Sequence, residues 1–81
     1  MIFLVAFSCN VFAEIVNKVD VKGNERISLE TIIIFGDIEI GKDYNEFDVG
    51  QLIKKLYDTK FFSNLAAEII NNKLTITVKE N

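Results

Sequence analysis

Side chains able to perform chemistry are scarce in this sequence. The chain has no His, and Cys9 is its single cysteine, placed in an apolar stretch near the start. Ser28 and Ser63 therefore have no imidazole to activate them, and no glycine-rich phosphate loop is present. We expect no catalytic residue, no cofactor and no enzymatic activity.

The nearest approach to a metal site is a group of three carboxylates, Asp37, Glu39 and Asp43. They could hold a hard cation, but they lack the alternating ligand register and the closing Glu of an EF-hand loop. A solvated loop is the favoured interpretation, and no metal site is predicted. A formal net charge of -3 argues against nucleic acid as a partner, so Lys54 and Lys55 indicate a solvated helix face.

Residues 1–13 carry no charge, and all 9 basic and 12 acidic residues follow them. The run ends in Ala13 before Glu14, which fits the small-residue rule for signal-peptide cleavage. It is too short for a transmembrane helix, which needs about 20 residues. We expect a signal peptide followed by one domain over 14–81. No Lys or Arg precedes the apolar run, which we interpret as either a start site placed too late or a truncated 5′ end. The alternatives are a buried element of the domain, or lipidation at Cys9.

Two alternating segments predict a β-hairpin from Phe61 to Glu80, with Asn71-Asn72 between its strands. A two-residue type I′ turn would place six apolar side chains on one face. The opposed pairs would be Ile69–Leu74, Ala67–Ile76 and Leu65–Val78. A one-residue slip would expose the apolar set of one strand, so the pattern and the turn specify each other.

The segment Glu14–Lys22 also alternates and predicts a half-buried strand. Ile15, Val19 and Val21 fall on one face, and Val16 falls on the other. A glycine and an asparagine, which tolerate a positive φ, end the strand.

Two helices are predicted between this strand and the hairpin. Ser28 caps the first, residues 29–35, and Gly36 suits its C′ position. Asn45 caps the second, residues 46–59, whose apolar stripe covers the sheet. The order β-α-α-β-β predicts an α+β fold with two helices packed on one face of a three-stranded mixed sheet.

Two adjacent aromatic residues lie between the second helix and the hairpin. Phe62 is expected to fill the core at this corner. Phe61 must then face outward, which makes it a possible exposed contact point.

Three motifs together resemble the POTRA domain, the polypeptide-transport-associated module of outer-membrane assembly proteins. The family's hydrophobic-x-Gly-Asn motif is matched by residues 21–24. Its Leu-Tyr-x-Thr-Gly-x-Phe motif is matched at Leu56, Tyr57, Thr59 and Phe62. Its terminal hydrophobic-x-Val-x-Glu strand is matched at Ile76, Val78 and Glu80. The resemblance covers residue 15 to the end.

One position departs from the family pattern, because Lys60 stands where the family has Gly. That Gly serves a left-handed position after the helix, and Lys there costs about 1 kcal/mol. Either the corner is strained or the chain turns by another route.

The resemblance implies a function at the periplasmic face of the bacterial outer membrane. A POTRA domain directly after a signal peptide is similar to the first of several tandem domains that precede a transmembrane barrel, so we expect an N-terminal fragment. Its implied partners are unfolded outer-membrane proteins, assembly lipoproteins and neighbouring POTRA domains, with the membrane reached through a barrel absent from this fragment. The alternatives are a module of a secretion transporter or division protein, and a small free-standing periplasmic binding protein.

The family topology implies that the first hairpin strand lies at the sheet edge, where an extended peptide could add as a strand. Its residues are Leu65, Ala66, Ala67, Glu68, Ile69 and Ile70. Ala66 and Ala67 are small enough to let a strand approach, and the charge of Glu68 would oppose self-association. An inert, protected edge is the alternative.

Overall fold

The computed structural model describes residues 14–81, so the predicted signal peptide and Cys9 lie outside the described residues. The elements are β1 (Glu14–Ile15), β2 (Lys18–Lys22), α1 (Leu29–Gly36), β3 (Asp43–Tyr44), α2 (Glu46–Asp58), β4 (Phe62–Ile70) and β5 (Lys73–Glu80). Neither α1 nor α2 has the length and apolar character needed to cross a membrane.

The main sheet has three strands in the order β2-β5-β4. The central strand β5 is parallel to β2 and antiparallel to β4, so the sheet is mixed. The predicted α+β class and the strand-helix-helix-strand-strand order of the longer elements are confirmed. Alternate residues of β5 enter the core, which is why Leu74 and Ile76 are fully buried.

The hairpin has the predicted register. Its paired residues include Ile69 with Leu74, Ala67 with Ile76, and Leu65 with Val78. The φ angles of Asn71 (53°) and Asn72 (66°) are both positive, as a type I′ turn requires.

The prediction of one continuous strand over residues 14–22 was wrong, because the chain breaks between β1 and β2. The N–H of Val16 donates to the carbonyl of Lys42 at 3.0 Å, and Val16 accepts from the N–H of Gly41 at 2.7 Å. These bonds and the pairing of β1 with β3 form a second, two-stranded ribbon. As a result Val16 is fully buried and Ile15 is 46% exposed, the reverse of the predicted faces.

Helix α1 begins as predicted, with the Ser28 hydroxyl accepting from the N–H of Thr31 at 3.2 Å. It ends one residue later than predicted, since Gly36 is helical and Asp37 adopts the left-handed conformation (φ 53°). Gly36 serves close packing instead, because a Cβ there would lie 3.2 Å from the side chain of Ile38. Asp tolerates a left-handed φ better than most residues, which permits the shift.

Helix α2 has the predicted capping box. The N–H of Asp48 donates to Asn45 Oδ1 at 2.9 Å, and the N–H of Asn45 donates to Asp48 Oδ2 at 3.1 Å. Leu52 and Leu56 of its apolar stripe are buried. The helix ends at Asp58, and Thr59 is its C-cap.

The corner between α2 and β4 is strained, because a residue other than Gly adopts a left-handed conformation there. Lys60 has a φ of 69°. Its N–H donates to the carbonyl of Tyr57 at 3.0 Å, so the left-handed turn closes the helix end. As predicted, Phe62 is buried (3% exposed), while Phe61 is 49% exposed.

Replacing Lys60 with Gly should raise the free energy of unfolding by about 1 kcal/mol, because Gly adopts a positive φ without steric cost. Urea unfolding followed by circular dichroism measures the change. The control is Lys54→Gly in the middle of α2, which should lower the same quantity by about 1 kcal/mol. A loss of stability in Lys60→Gly would show that the corner is not strained.

The loop after β2 is fastened to the end of β5 by one carboxylate. Glu80 accepts hydrogen bonds from the backbone N–H groups of Glu25, Arg26 (3.0 Å) and Ile27 (3.1 Å). The bond from Glu25 and then those from its two neighbours lower the pKa of Glu80 below its ordinary value of 4.5. Glu80 is the residue that ends the terminal-strand motif, so this contact gives the motif a structural purpose.

Substituting Glu80→Gln should lower the melting temperature at neutral pH. The lowered pKa means that the carboxylate stabilises the fold above pH 4.5 and loses this effect as the pH falls through the folded-state pKa. The two melting temperatures should therefore converge in acid. Melting curves between neutral pH and acid measure this, with Glu25→Gln, which keeps its backbone donor, as the control. A difference between the two proteins that is constant with pH would contradict the prediction.

Candidate functional site

The structure places all six predicted edge residues in β4, which pairs within residues 14–81 only with β5. Along the strand, exposure alternates. Leu65 is buried and Ala67 and Ile69 are half-buried on the helix side, whereas Ala66, Glu68 and Ile70 are exposed on the other face. Strand β4 is therefore an edge strand with one apolar and one solvated face.

The length of the turn determines which backbone groups of β4 point away from β5. In a two-residue hairpin the residues flanking the turn, Ile70 and Lys73, form a hydrogen-bonded pair, and such pairs alternate along the ladder. Ala66 and Glu68 thus bond to β5, while the N–H and C=O groups of Leu65, Ala67 and Ile69 point away from it. These three residues supply the polar groups of the free edge.

One of these outward groups already has partners. The N–H of Leu65 donates to the Tyr57 hydroxyl at 3.1 Å and lies 3.0 Å from Asn64 Oδ1. Within residues 14–81, the outward N–H groups of Ala67 and Ile69 have no such acceptor. The edge is closed at its start and open toward the turn.

A groove of ≈ 260 Å³ runs alongside the open part of the edge. It lies between β4, the start of α2 and the β1–β3 ribbon. Its lining residues are Glu14, Tyr44, Asn45, Glu46, Val49, Ala67, Glu68 and Ile69. We call this feature the edge groove. It has an apolar floor, three carboxylates and no Lys or Arg.

Most of the edge groove was missed by the sequence reasoning. Ala67, Glu68 and Ile69 were predicted as edge residues, but Glu14 and Tyr44 reach the groove through a ribbon that the alternation did not indicate. Tyr44 is 4% exposed, and its hydroxyl accepts from the N–H of Glu39 at 2.9 Å. The only sequence signal for these missed residues was the capping box of α2, which places the residues beside Asn45 at the start of a helix.

Phe61 lies at the opposite end of β4 from the edge groove. Its ring stacks on Phe35 with centroids 5.6 Å apart and an interplanar angle of 19°. The structure therefore separates the predicted exposed contact from the predicted edge, and the two do not form one site.

The three carboxylates considered for a metal ion are exposed, and Asp37 is paired with Lys55 at 3.2 Å. Within the described part of the chain, no three side chains of the ligand types Cys, Asp and Glu converge closely enough to hold a metal ion.

Comparison with known proteins gives two related sequences. The chain is 26% identical over its whole length to the outer membrane protein assembly factor BamA of Neorickettsia risticii, covering 11% of that protein. It is 29% identical over 65 residues, 80% of the chain, to BamA of Neisseria meningitidis serogroup B, covering 8% of that protein. The chain thus spans about a tenth of the length of these relatives, and no protein-family model matches it. The chain resembles BamA in sequence, and its element order is consistent with the POTRA fold.

Proposed function

We propose that this chain is a periplasmic POTRA module of an outer-membrane assembly protein, and that it holds extended segments of unfolded outer-membrane proteins along β4. The relatives' names support the assembly role, and the observation that carries the mechanism is the open edge at Ala67 and Ile69. Their N–H and C=O groups can bond an added strand, a recognised mode of peptide binding. No enzymatic step is part of this proposal.

The open edge supports weak and sequence-tolerant binding. Two N–H and two C=O groups offer up to four hydrogen bonds, each contributing a net ~0.5–1.5 kcal/mol. Part of that gain is offset by ordering the client segment. A dissociation constant near the millimolar range, about 4 kcal/mol of binding free energy, suits a module that holds a client and then releases it.

The solvated face of β4 opposes addition of a second copy of the chain. Glu68 is exposed, and an edge-to-edge dimer across the open residues would bring two Glu68 carboxylates near each other. Like charges on neighbouring strands destabilise the pairing. The edge therefore favours a client strand over self-association.

Assembly lipoproteins and neighbouring POTRA domains are the other proposed partners. The Phe35–Phe61 pair offers them an apolar contact at the far end of β4, where Phe61 is 49% exposed. That surface is independent of the open edge, so both partners could bind at once.

Titration of the ¹⁵N-labelled 81-residue chain with an extended peptide of alternating apolar and polar residues tests the proposal. The amide signals of Ala67 and Ile69 should shift and gain protection from hydrogen exchange. Shifts confined to the helices, with residues 64–70 unchanged, would overturn it.

Two variants sharpen this test. Ala67→Pro removes an outward donor that the hairpin does not use, so the fold should persist while peptide binding is lost. Ala67→Ser keeps the N–H group and is the matched control. Tyr57→Phe combined with Asn64→Ala removes both acceptors of the Leu65 N–H, and the protected region should then extend to that amide.

A further inference from the structure

We infer that the edge groove selects client segments in which an apolar residue adjoins Lys or Arg. This inference rests on the proposed strand addition at β4 and deepens it. Backbone bonding alone reads little of a client's sequence, so any selection must come from the side chains beside the open edge.

The floor of the edge groove is placed to receive an apolar side chain. A strand added beside Ala67 and Ile69 alternates as β4 does, so every second side chain points toward the helix layer. There it meets Val49 of α2 and the ring of Tyr44. The volume of ≈ 260 Å³ exceeds the ~150 Å³ cavity that admits benzene in a protein core.

The carboxylates of the edge groove select the neighbouring residue. Glu68 projects from the solvated face of β4, where it would lie across from the client residue next to the apolar one. Glu14 and Glu46 lie on the opposite wall. A Lys or Arg at that client position would point to the solvated face and meet Glu68, while Glu14 and Glu46 add negative potential from the helix side. An Asp or Glu there would be repelled.

Two of these carboxylates are available for such a pairing. The ion pairs among residues 14–81 are Lys54 with Asp58 and Lys55 with Asp37, which leaves Glu46 and Glu68 without a cationic partner in the described chain. Glu14 is partly engaged, since it accepts from the N–H of Asn72 at 3.2 Å. The charge complementarity therefore rests mainly on Glu68, which faces the client cation, with Glu46 adding a longer-range negative potential from the helix side.

Three peptides that differ only beside the apolar residue test the inference with the 81-residue chain. They carry Lys, Gln or Glu there, and the shifts of the Ala67 and Ile69 amides give each dissociation constant. The Lys peptide should bind about 1.4- to 5-fold more tightly than the Gln peptide, as expected for exposed pairs, and the Glu peptide more weakly. The Lys advantage should shrink at high salt.

A double variant locates the effect. Glu46→Gln combined with Glu68→Gln should abolish the preference for Lys. Glu25→Gln combined with Glu30→Gln changes the net charge equally outside the groove, includes a first-turn helix residue like Glu46, and should keep the preference. An equal loss in both double variants would overturn the inference, because net charge would then explain the preference.

The outcomes separate this inference from the proposed function. Equal binding of all three peptides, with the Ala67 and Ile69 amides still protected, would overturn the selectivity and leave strand addition intact. Failure of every peptide to affect these amides would overturn both.

Discussion

Replacing Gly23 with Ala should lower the free energy of unfolding by roughly 2–5 kcal/mol, the sum of ~1–2 kcal/mol for a left-handed backbone and ~1–3 kcal/mol for overpacking. Gly23 has a φ of 89° and directly follows β2. A Cβ at this position would lie only 2.2 Å from the carbonyl oxygen of Val78. That oxygen belongs to the backbone of the central strand, so it cannot move aside without disturbing the pairing of β2 with β5.

The change is measured by thermal and urea unfolding. Each kcal/mol corresponds to about 4–8 °C in melting temperature for a domain of this size, so a fall of roughly 8–40 °C is expected. Gly41→Ala is the matched control, because Gly41 has the same φ of 89° but no atom within 4 Å of the added Cβ. Gly41→Ala should lower the free energy of unfolding by only ~1–2 kcal/mol, the cost of a left-handed backbone at Ala. Equal losses at the two glycines would show that β5 accommodates the methyl group freely.

Replacing Leu74 with Ala should cost about 2.7–5 kcal/mol, the range for deleting a fully buried Leu side chain. Leu74 has no exposed surface and lies in the central strand, paired with Val19 of β2 on one side and Ile69 of β4 on the other. Since small domains are stable by only ~0.05–0.15 kcal/mol per residue, this loss is comparable with the whole stability of residues 14–81. We expect a strongly lowered urea midpoint and melting temperature, measured by circular dichroism.

Two milder variants keep this prediction measurable. Ile76→Val, also fully buried, should remain folded and lose about 0.5–1.5 kcal/mol. Ile70→Ala removes an apolar side chain that is 57% exposed on the solvated face of β4, and its loss should be much smaller. A folded Leu74→Ala with the stability of Ile70→Ala would show that the core collapses around the missing side chain.

The hairpin and the helix starts could be predicted from sequence because their signals are local. The alternation in β4 and β5 and the two Asn residues of the turn allow one register only, and the polar residues Ser28 and Asn45 mark the helix starts directly. The resemblance gave the position of β4 at the sheet edge, since alternation alone does not say which hairpin strand is central.

The β1–β3 ribbon could not be predicted, because a two-residue strand has no period to detect. Whether Ile15 or Val16 is buried depends on backbone bonds from Val16 to Lys42 and Gly41, far along the chain. The end of α1 was misplaced for a related reason. Gly36 suits a left-handed position by type, but its contact with Ile38 requires it within the helix.

The candidate site was only half predictable. The residues of the open edge followed from alternation and topology. Two features depend on where α2 lies over β4: the Tyr57 hydroxyl that closes this edge at Leu65, and the position of Glu46 beside the edge groove. The placement of α2 over β4 is set by tertiary packing, and the local sequence does not indicate it.

The parallel pairing of β2 with β5 has a consequence for how the chain folds. The hairpin closes over a two-residue turn, but β2 can dock only after nearly all of the intervening chain has been brought together. Such non-local pairing bears the cost of closing a long loop before it gains any contact, which slows folding. Until β2 docks, β5 has an unpaired side in addition to that of β4. The rate of this docking step therefore sets how long the central strand of a newly made chain is exposed to wrong strand partners, before only the outer edges of β2 and β4 remain.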